Sequence, residues 1–286
     1  MPSLIDIRRR VRSVKNTQQI TKAMKMISAA KLRKAQERAL ASRPYAVMLD
    51  QVLSNVAEAA AQSAEGEGHP LLAVRPEKRI LAVVVTADKG LAGGFNSNLI
   101  KIAQRFLNEH HAEELTLEVI GRKARDYFRR RELNIKGEHL DLFRNVTYDA
   151  AERIADIVID RFSKAEIDSV YLFVNEFKSV MAPNPTVTRI LPIEVPKSAA
   201  PVDYIYEQKP EEMLGSLLPR YVKVRIYRAL LESAAAELAA RMTAMDAATS
   251  NASDMIDKLT LYMNRVRQAS ITREIIEIVS GAAALD

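Results

Sequence analysis

"LESAAAELAARMTAMDAATSNASDMIDKLTLYMNRV", Leu231–Val266, contains neither Gly nor Pro, and its apolar residues return at spacings of three and four. Extended upstream, the pattern is a seam through Leu214, Leu217, Tyr221, Val224, Arg228, Leu231, Ala235, Leu238, Met242, Met245, Thr249, Ala252, Ile256, Leu259, Met263 and Val266. Only Arg228 and Thr249 in it are polar. A heptad seam sustained this long predicts a coiled coil. No Gly lies between Gly215 and Gly281, and Pro219 stands near the start. One helix is therefore expected from about residue 210 to 283, roughly 110 Å at 1.5 Å per residue.

A coiled-coil helix needs a partner, and the opening of the chain offers one. Leu4, Ile7, Val11 and Val14 begin a seam that thins at Gln18 and Thr21 and resumes at Met24 and Ile27. Beyond Pro44 it continues through Tyr45, Leu49, Val52, Val56 and Ala60. "EGEGHP" (Glu65–Pro70) then breaks the helix with Gly and Pro.

Between the two helices the composition changes. "RILAVVVT" (Arg79–Thr86) is a short β-branched apolar run of the kind that forms a buried parallel strand. A Gly-rich turn follows, and "NSNLIKIAQRFL" opens a helix with Asn and Ser in capping positions. "LTLEVIG" reads as a second strand, "RKARDYFRRR" as a second helix, and "TYDAAERIADIVIDRF" as a third helix capped by Thr147. "SVYLFVNEF" and "TVTRILPIEV" read as strands joined through "MAPNP" as a hairpin. Alternating strands and helices predict a small Rossmann-like α/β sheet with helices on its faces. The fold class is therefore α/β: a long antiparallel two-helix coiled coil from the terminal segments plus a central α/β domain. The expected division is 1–62 and 210–286 for the coiled-coil helices and 75–205 for the central domain.

Charge is unevenly placed along the 286 residues. The net charge is +6, yet residues 1–60 carry 12 basic and 4 acidic side chains, so the excess sits on the opening helix. Asn16–Gln36, "NTQQITKAMKMISAAKLRKAQ", holds five cations, two Met and no acid. Such a helix calls for an acidic partner. An Arg-rich amphipathic start also suits a transit peptide, but the helical pattern runs on to about residue 60 without a cleavage-like break. The chain has no Cys, so disulfides, thiolate metal sites and thiol switches are excluded. No apolar run is long enough to predict a membrane span or direct membrane insertion.

The C-terminal helix outruns its partner, and its end, "ITREIIEIVSGAAALD", is apolar on several faces. A helix of that kind requires something to surround it.

Three stretches carry a resemblance to the gamma-subunit family of F-type ATP synthases: Asn16–Gln36, "TADKGLAGGFN" (Thr86–Asn96), and "ITREIIEIVSGAAA" (Ile271–Ala284). The last fits the family signature at Ile271, Thr272, Glu274, Glu277, Gly281 and Ala282. The likeness spans the chain and lacks the chloroplast cysteine insertion, which implies a bacterial-type member.

The resemblance implies a non-catalytic central rotor shaft. It would stand inside the ring of alpha and beta subunits, and its foot would dock on the epsilon subunit and the membrane c-subunit ring. The location implied is peripheral, on the cytoplasmic side of the cell inner membrane. Met24 and Lys25 would slide past acidic lever loops, since long-stemmed Lys and flexible Met re-pack at low cost. Lys89 would make a second stator contact. Arg267 and Gln268 would engage the end of a beta subunit. Ile271, Ile275, Ile278, Val279 and Leu285 would form an apolar bearing tip.

Other chemistry finds little support. "GLAGGF" lacks the spacing of a dinucleotide fingerprint and the Gly-Lys-Ser/Thr of a phosphate loop. His69, His110, His111 and His139 show no metal-ligand spacing and read as solvated. No catalytic constellation, cofactor or metal site is expected. The rival reading is a coiled-coil nucleic-acid-binding protein. There the basic region is a separate extension, whereas here the cations decorate the coil itself, so no nucleic-acid partner is expected.

Overall fold

The structure is a computed structural model that describes residues 3–62, 69–110, 112–177, 179, 184–195 and 208–283. Two long helices flank an α/β region: α1 is Leu4–Gln62 and α5 is Pro210–Ala283. Pro44 and Pro219 are accommodated inside them. The chain forms two compact units, one from residues 1–28 and 242–286, the other from residues 29–241.

In the larger unit, β1 (Arg79–Val85) is the central strand of a five-stranded sheet with spatial order β3-β2-β1-β4-β5. β2 is Glu114–Ile120, β3 Asn134–His139, β4 Ser169–Glu176 and β5 Asn184–Leu191. The pairings β1–β2, β2–β3 and β1–β4 are parallel, and only β5 runs antiparallel, against β4. β1 is apolar on both faces because both are covered. Ala82 and Val84 meet α2 (Phe95–Glu109) and α3 (Arg122–Arg129) through Leu99, Ala103, Ala124 and Phe128. Leu81, Val83 and Val85 join the core that contains α4 (Tyr148–Ser163), α1 and α5, with Ile154, Val158, Leu53 and Leu218.

The strand starts are tied by charge. The Asp168 carboxylate, beside the start of β4, accepts bonds from the Arg79 backbone N–H at 2.9 Å and from its guanidinium at 2.7 and 3.2 Å. The Arg79 bonds hold the Asp168 carboxyl below its usual range. On β4 itself, Tyr171 donates to Glu77, which precedes β1, at 2.8 Å. Burial, reinforced by that carboxylate, pushes the phenol up to about 12.

Several sequence expectations need correction. Asn134–His139 is a strand that hydrophobicity did not reveal: its exposure alternates, it carries Gly137, and it covers a buried polar residue, Glu118. α2 begins at Phe95 with Gly94 at its N-cap and no side-chain cap. Asn96 is diverted to accept from Ala87 N–H. Thr147, by contrast, caps α4 by accepting from Ala150 N–H. Within the seams, Leu218 rather than Leu217 is fully buried, and Ile27 and Tyr45 are exposed. The buried positions around them include Thr21, Ser28, Leu32, Ala39, Ala46, Leu49, Leu53 and Val56. Small side chains let helices approach closely, and Ser28, Ala39 and Ala46 are buried among the larger apolar residues.

The three described histidines are engaged rather than solvated. His69 Nδ1 accepts from Leu71 N–H, His110 stacks on Phe106 with centroids 3.7 Å apart, and His139 Nε2 lies 2.7 Å from the buried Glu118 carboxylate. His111 lies outside the described residues, as do the first three residues of "MAPNP" and most of "EGEGHP".

Candidate stator-facing surfaces

In the smaller unit, α1 and α5 run antiparallel. Thr21 meets Thr249 with hydroxyls 2.8 Å apart, and one turn on Lys25 Nζ meets Asp246 Oδ1 at 2.5 Å. Ile7, Thr21, Ser28, Met245 and Ala252 are buried. Met24 is half-buried beside the ion pair. Lys25 therefore has a carboxylate on its own chain, a partner the acid-free run concealed because that acid lies more than two hundred residues away. Both ends of the pair are open to water, so it contributes little stability, about 0–1 kcal/mol.

The outer side of α1 carries Ile20 and Met26, which lie off the seam, and Ile27, which the seam reading placed inside. Ile20, Met26 and Ile27 are more than half exposed. Ile20 and Ile27 share one face at a spacing of seven, and Lys22 and Met26 share another at a spacing of four. Apolar and cationic side chains thus alternate around the free surface. The signal in the sequence is Ile20 and Met26, apolar residues off the seam.

Along α5 the burial stops abruptly. Val266 is half-buried, and every residue from Arg267 to Ser280 is exposed. Arg267 makes no ion pair with Glu274 or Glu277 among the described residues, although both acids lie further along the same helix. The Gln268 carbonyl accepts from the Thr272 hydroxyl at 3.0 Å, leaving its amide free of that bond. Ile271, Ile275, Ile276, Ile278 and Val279 stand in solvent at 48–72% exposure. That is a contiguous greasy helix end, far beyond scattered surface apolar residues. Leu285 lies outside the described residues.

In the larger unit, Lys89 is exposed on the loop after β1. The loop is anchored from both sides. Asp88 Oδ1 accepts from the backbone N–H of Arg122 and of Asp141, and Arg122 reaches the Asp141 carboxylate at 2.7 Å. Asn96 closes the other end through Ala87 N–H and, more weakly, the Lys89 carbonyl. Thr86 accepts from Ala124 N–H at 2.8 Å. Gly121, at φ +88°, would bring a Cβ to 2.1 Å from the Thr86 carbonyl oxygen, so only Gly serves there.

This loop lies where the strand order reverses between β1 and β4, the crevice in which open α/β sheets receive ligands. Here protein fills it. Phe95, fully buried, packs with Ala87 and Ala92 against Ala236 and Ala240 of α5, and Phe143 stacks edge-on to Phe95 at 6.4 Å. Asn175 closes the group by donating to the Phe95 carbonyl at 3.3 Å. The "GLAGGF" turn is thus the bed of a helix. Among the described residues no group of His, Asp and Glu could hold a metal ion, and no helix is long and apolar enough to cross a membrane.

Known proteins with this pattern are consistent with one another. The profile of the ATP synthase family matches residues 3–285. The ATP synthase gamma chain of Solibacter usitatus is 63% identical over 286 residues, with both chains covered in full. That of Pelotomaculum thermopropionicum is 53% identical over 289 residues, again over the whole of both. Among solved structures, a chain of the central stalk and c-ring of the Tetrahymena thermophila mitochondrial ATP synthase superposes with a TM-score of 0.62. It shares 26% identity and matches over 80% of this chain and 99% of its own. A chain of the Euglena gracilis mitochondrial ATP synthase rotor, 17% identical, shares the fold at a TM-score of 0.65 over 94% and 98% of the two chains.

Proposed function

The chain belongs to the gamma-chain family of ATP synthases, and on that premise we propose how its uncovered surfaces act. It is a non-catalytic subunit, the central shaft that couples ion flow to the conformational cycle of the catalytic beta subunits. The reacting sites lie on those subunits, and this chain acts by moving among them.

The observation that carries the proposal is the helix end Arg267–Val279, exposed throughout and carrying Ile271, Ile275, Ile276, Ile278 and Val279 in solvent. Ile271, Ile275, Ile278 and Val279, with Leu285 beyond them, act as a bearing in an apolar collar of the alpha and beta ring. Few directional bonds have to break as such a surface turns. Arg267 and Gln268, just below it, act as a catch. A guanidinium can hold a carboxylate through two parallel hydrogen bonds, which gives direction as well as attraction. Met24 and Lys25 face the ring on α1, and Lys89 on the loop after β1.

A single shaft inside a threefold ring touches its three catalytic neighbours differently. Differential contact is what biases otherwise equal sites toward different states. Helices 1–62 and 210–286 form the shaft in this reading, and residues 75–205 form a foot toward the epsilon subunit and the c-ring. The subunit sits peripherally on the cytoplasmic side of the cell inner membrane.

The test is rotation. In a complex fixed to a surface by its beta subunits, a bead attached to this chain should turn in steps when ATP is supplied. The purified complex should contain one copy of the chain per three beta subunits. A stationary bead in an ATP-hydrolysing complex of that composition would overturn the proposal.

A further inference from the structure

The segment "RKARDYFRRR", Arg122–Arg131, holds six cations and a single acid, Asp126. Its front is neutralised: Arg122 reaches the Asp141 carboxylate at 2.7 Å and Arg125 that of Asp126 at 2.8 Å. Its back is not. Arg129, Arg130 and Arg131 are all exposed, and none forms an ion pair among the described residues. Arg131 lays its guanidinium 3.7 Å above the Tyr127 ring instead. The C-terminus of a helix such as α3 welcomes one cation against its free carbonyls. Three in succession repel one another, and nothing described in the chain offsets the third.

The topology says where this charge sits. β1, β2, β3 and β4 run parallel, so the sheet has one end of strand starts and one of strand finishes. α3 leaves the finish of β2 at Gly121 and delivers the chain to the start of β3 at Asn134. Arg129–Arg131 therefore lie at the strand starts, whereas the loop that carries Lys89 follows the finish of β1. A strand of this length sets the two ends roughly 20 Å apart. Other cations at the strand-start end are matched: Lys78, Arg79, Arg105, Arg161, Lys164 and Arg189 each reach a carboxylate. The three arginines stand out against that neutral background.

We propose that Arg129, Arg130 and Arg131 ride on the phosphates of anionic lipid headgroups at the membrane surface. The inference rests on the shaft reading above: with Lys89 toward the catalytic ring, the opposite end of the sheet faces the c-ring and the bilayer around it. A guanidinium holds a phosphate through paired hydrogen bonds, and each further cation near an anionic leaflet adds to the attraction. Lipid is also a fluid partner. Neighbouring headgroups replace one another as the patch sweeps past, so the contact steadies the foot without gripping it. A stationary acidic protein would instead catch the three arginines once in every turn.

The chain has no Cys, so Asn134→Cys, at the exposed start of β3, puts a single thiol beside the patch. Carrying a photoreactive maleimide, this chain is assembled into the full complex and reconstituted in vesicles of phosphatidylcholine, with or without phosphatidylglycerol. Illumination should attach lipid to the chain, about fivefold more in the anionic vesicles, and high salt should remove the excess. Ser97→Cys, exposed at the opposite end of the sheet, should take up no lipid. Replacing all three arginines by Ala should abolish the excess while ATP hydrolysis stays close to wild type, and replacing them by Lys should keep most of it. Equal labelling in both kinds of vesicle, an excess that survives the Ala changes, or adducts with a protein subunit alone would each overturn the contact. The shaft reading is tested separately by rotation and would survive any of these in a complex that still turns.

Discussion

The hydroxyls of Thr21 and Thr249 lie 2.8 Å apart, each also within bonding distance of its own helix, at the carbonyls of Gln18 and Met245. Each Thr is a polar interruption in an otherwise apolar seam, and each is the other's complement. One hydroxyl donates across while its partner donates back along its own helix. A polar pair of this kind fixes register, because a slide of one turn would bury two unmatched hydroxyls.

Single Thr21→Val or Thr249→Val changes should therefore cost about 1 kcal/mol each, and the double change less than their sum. Thermal unfolding of the purified variants, followed by far-ultraviolet circular dichroism, measures the coupling. Strict additivity would mean that the two hydroxyls act independently.

Lys25→Glu places a carboxylate against Asp246 and removes a cation from the free face of α1. It should lower turnover of the assembled complex more than it lowers stability, since the native pair is exposed. Adding Asp246→Lys restores an ion pair of reversed sense. The doubly substituted chain should regain its stability and not its turnover. Recovery of both would assign Lys25 to the coil alone.

Arg267→Leu should leave subunit composition intact and reduce both ATP synthesis and hydrolysis more than tenfold. Losing a charge-assisted bond to a desolvated acid costs roughly 2–5 kcal/mol. Turnover and stoichiometry measured on one preparation decide it, and normal rates in a complete complex would leave Arg267 without a role in coupling.

Asp168→Asn should destabilise the larger unit by about 1–3 kcal/mol, since it weakens three bonds at the start of β1 and β4. The bridge also sets an acid limit. Arg79 lowers the Asp168 carboxyl in the folded chain relative to an unfolded value near 3.8, so the bridge is fully stabilising above that value. The contribution is lost as pH falls through the lower folded value. Melting temperatures measured from pH 6 downward should converge for wild type and Asp168→Asn at the acid end. Curves that stay parallel would show that this carboxylate plays no part.

The long helices and four of the five strands were legible because their signals are periodic and local. α5 runs from Pro210 to Ala283, close to the span that its seam and the absence of Gly imply. What escaped depends on partners distant in sequence. β3 owes its place to Gly137, which leaves room for the Glu118 carboxyl where a Cβ would collide at 1.8 Å. No hydrophobic pattern marks such a strand. Its apolarity and spacing place Ile27 in the seam, yet Ser28 is buried in its place. Close helix approach favours the smaller side chain, and only the facing helix reveals which one is needed. The surface residues were visible as a basic run and a greasy end. Asp246 was not, because an ion pair between helices more than two hundred residues apart in the sequence leaves no trace in composition.

The packing of Phe95 and two alanines of the loop onto Ala236 and Ala240 has one more implication. A crevice that in related sheets admits a small molecule is here a keyway, with α5 as the key. Ala at both helix positions lets the surfaces approach closely in one buried cluster, so the sheet and this part of the helix are expected to turn together. Any looseness there would be lost motion, angle travelled by one part before the other follows. A shaft that delivers its work in discrete steps can tolerate little of it, and the tight fit of Phe95 against two methyl groups is how this chain keeps backlash out of its drive.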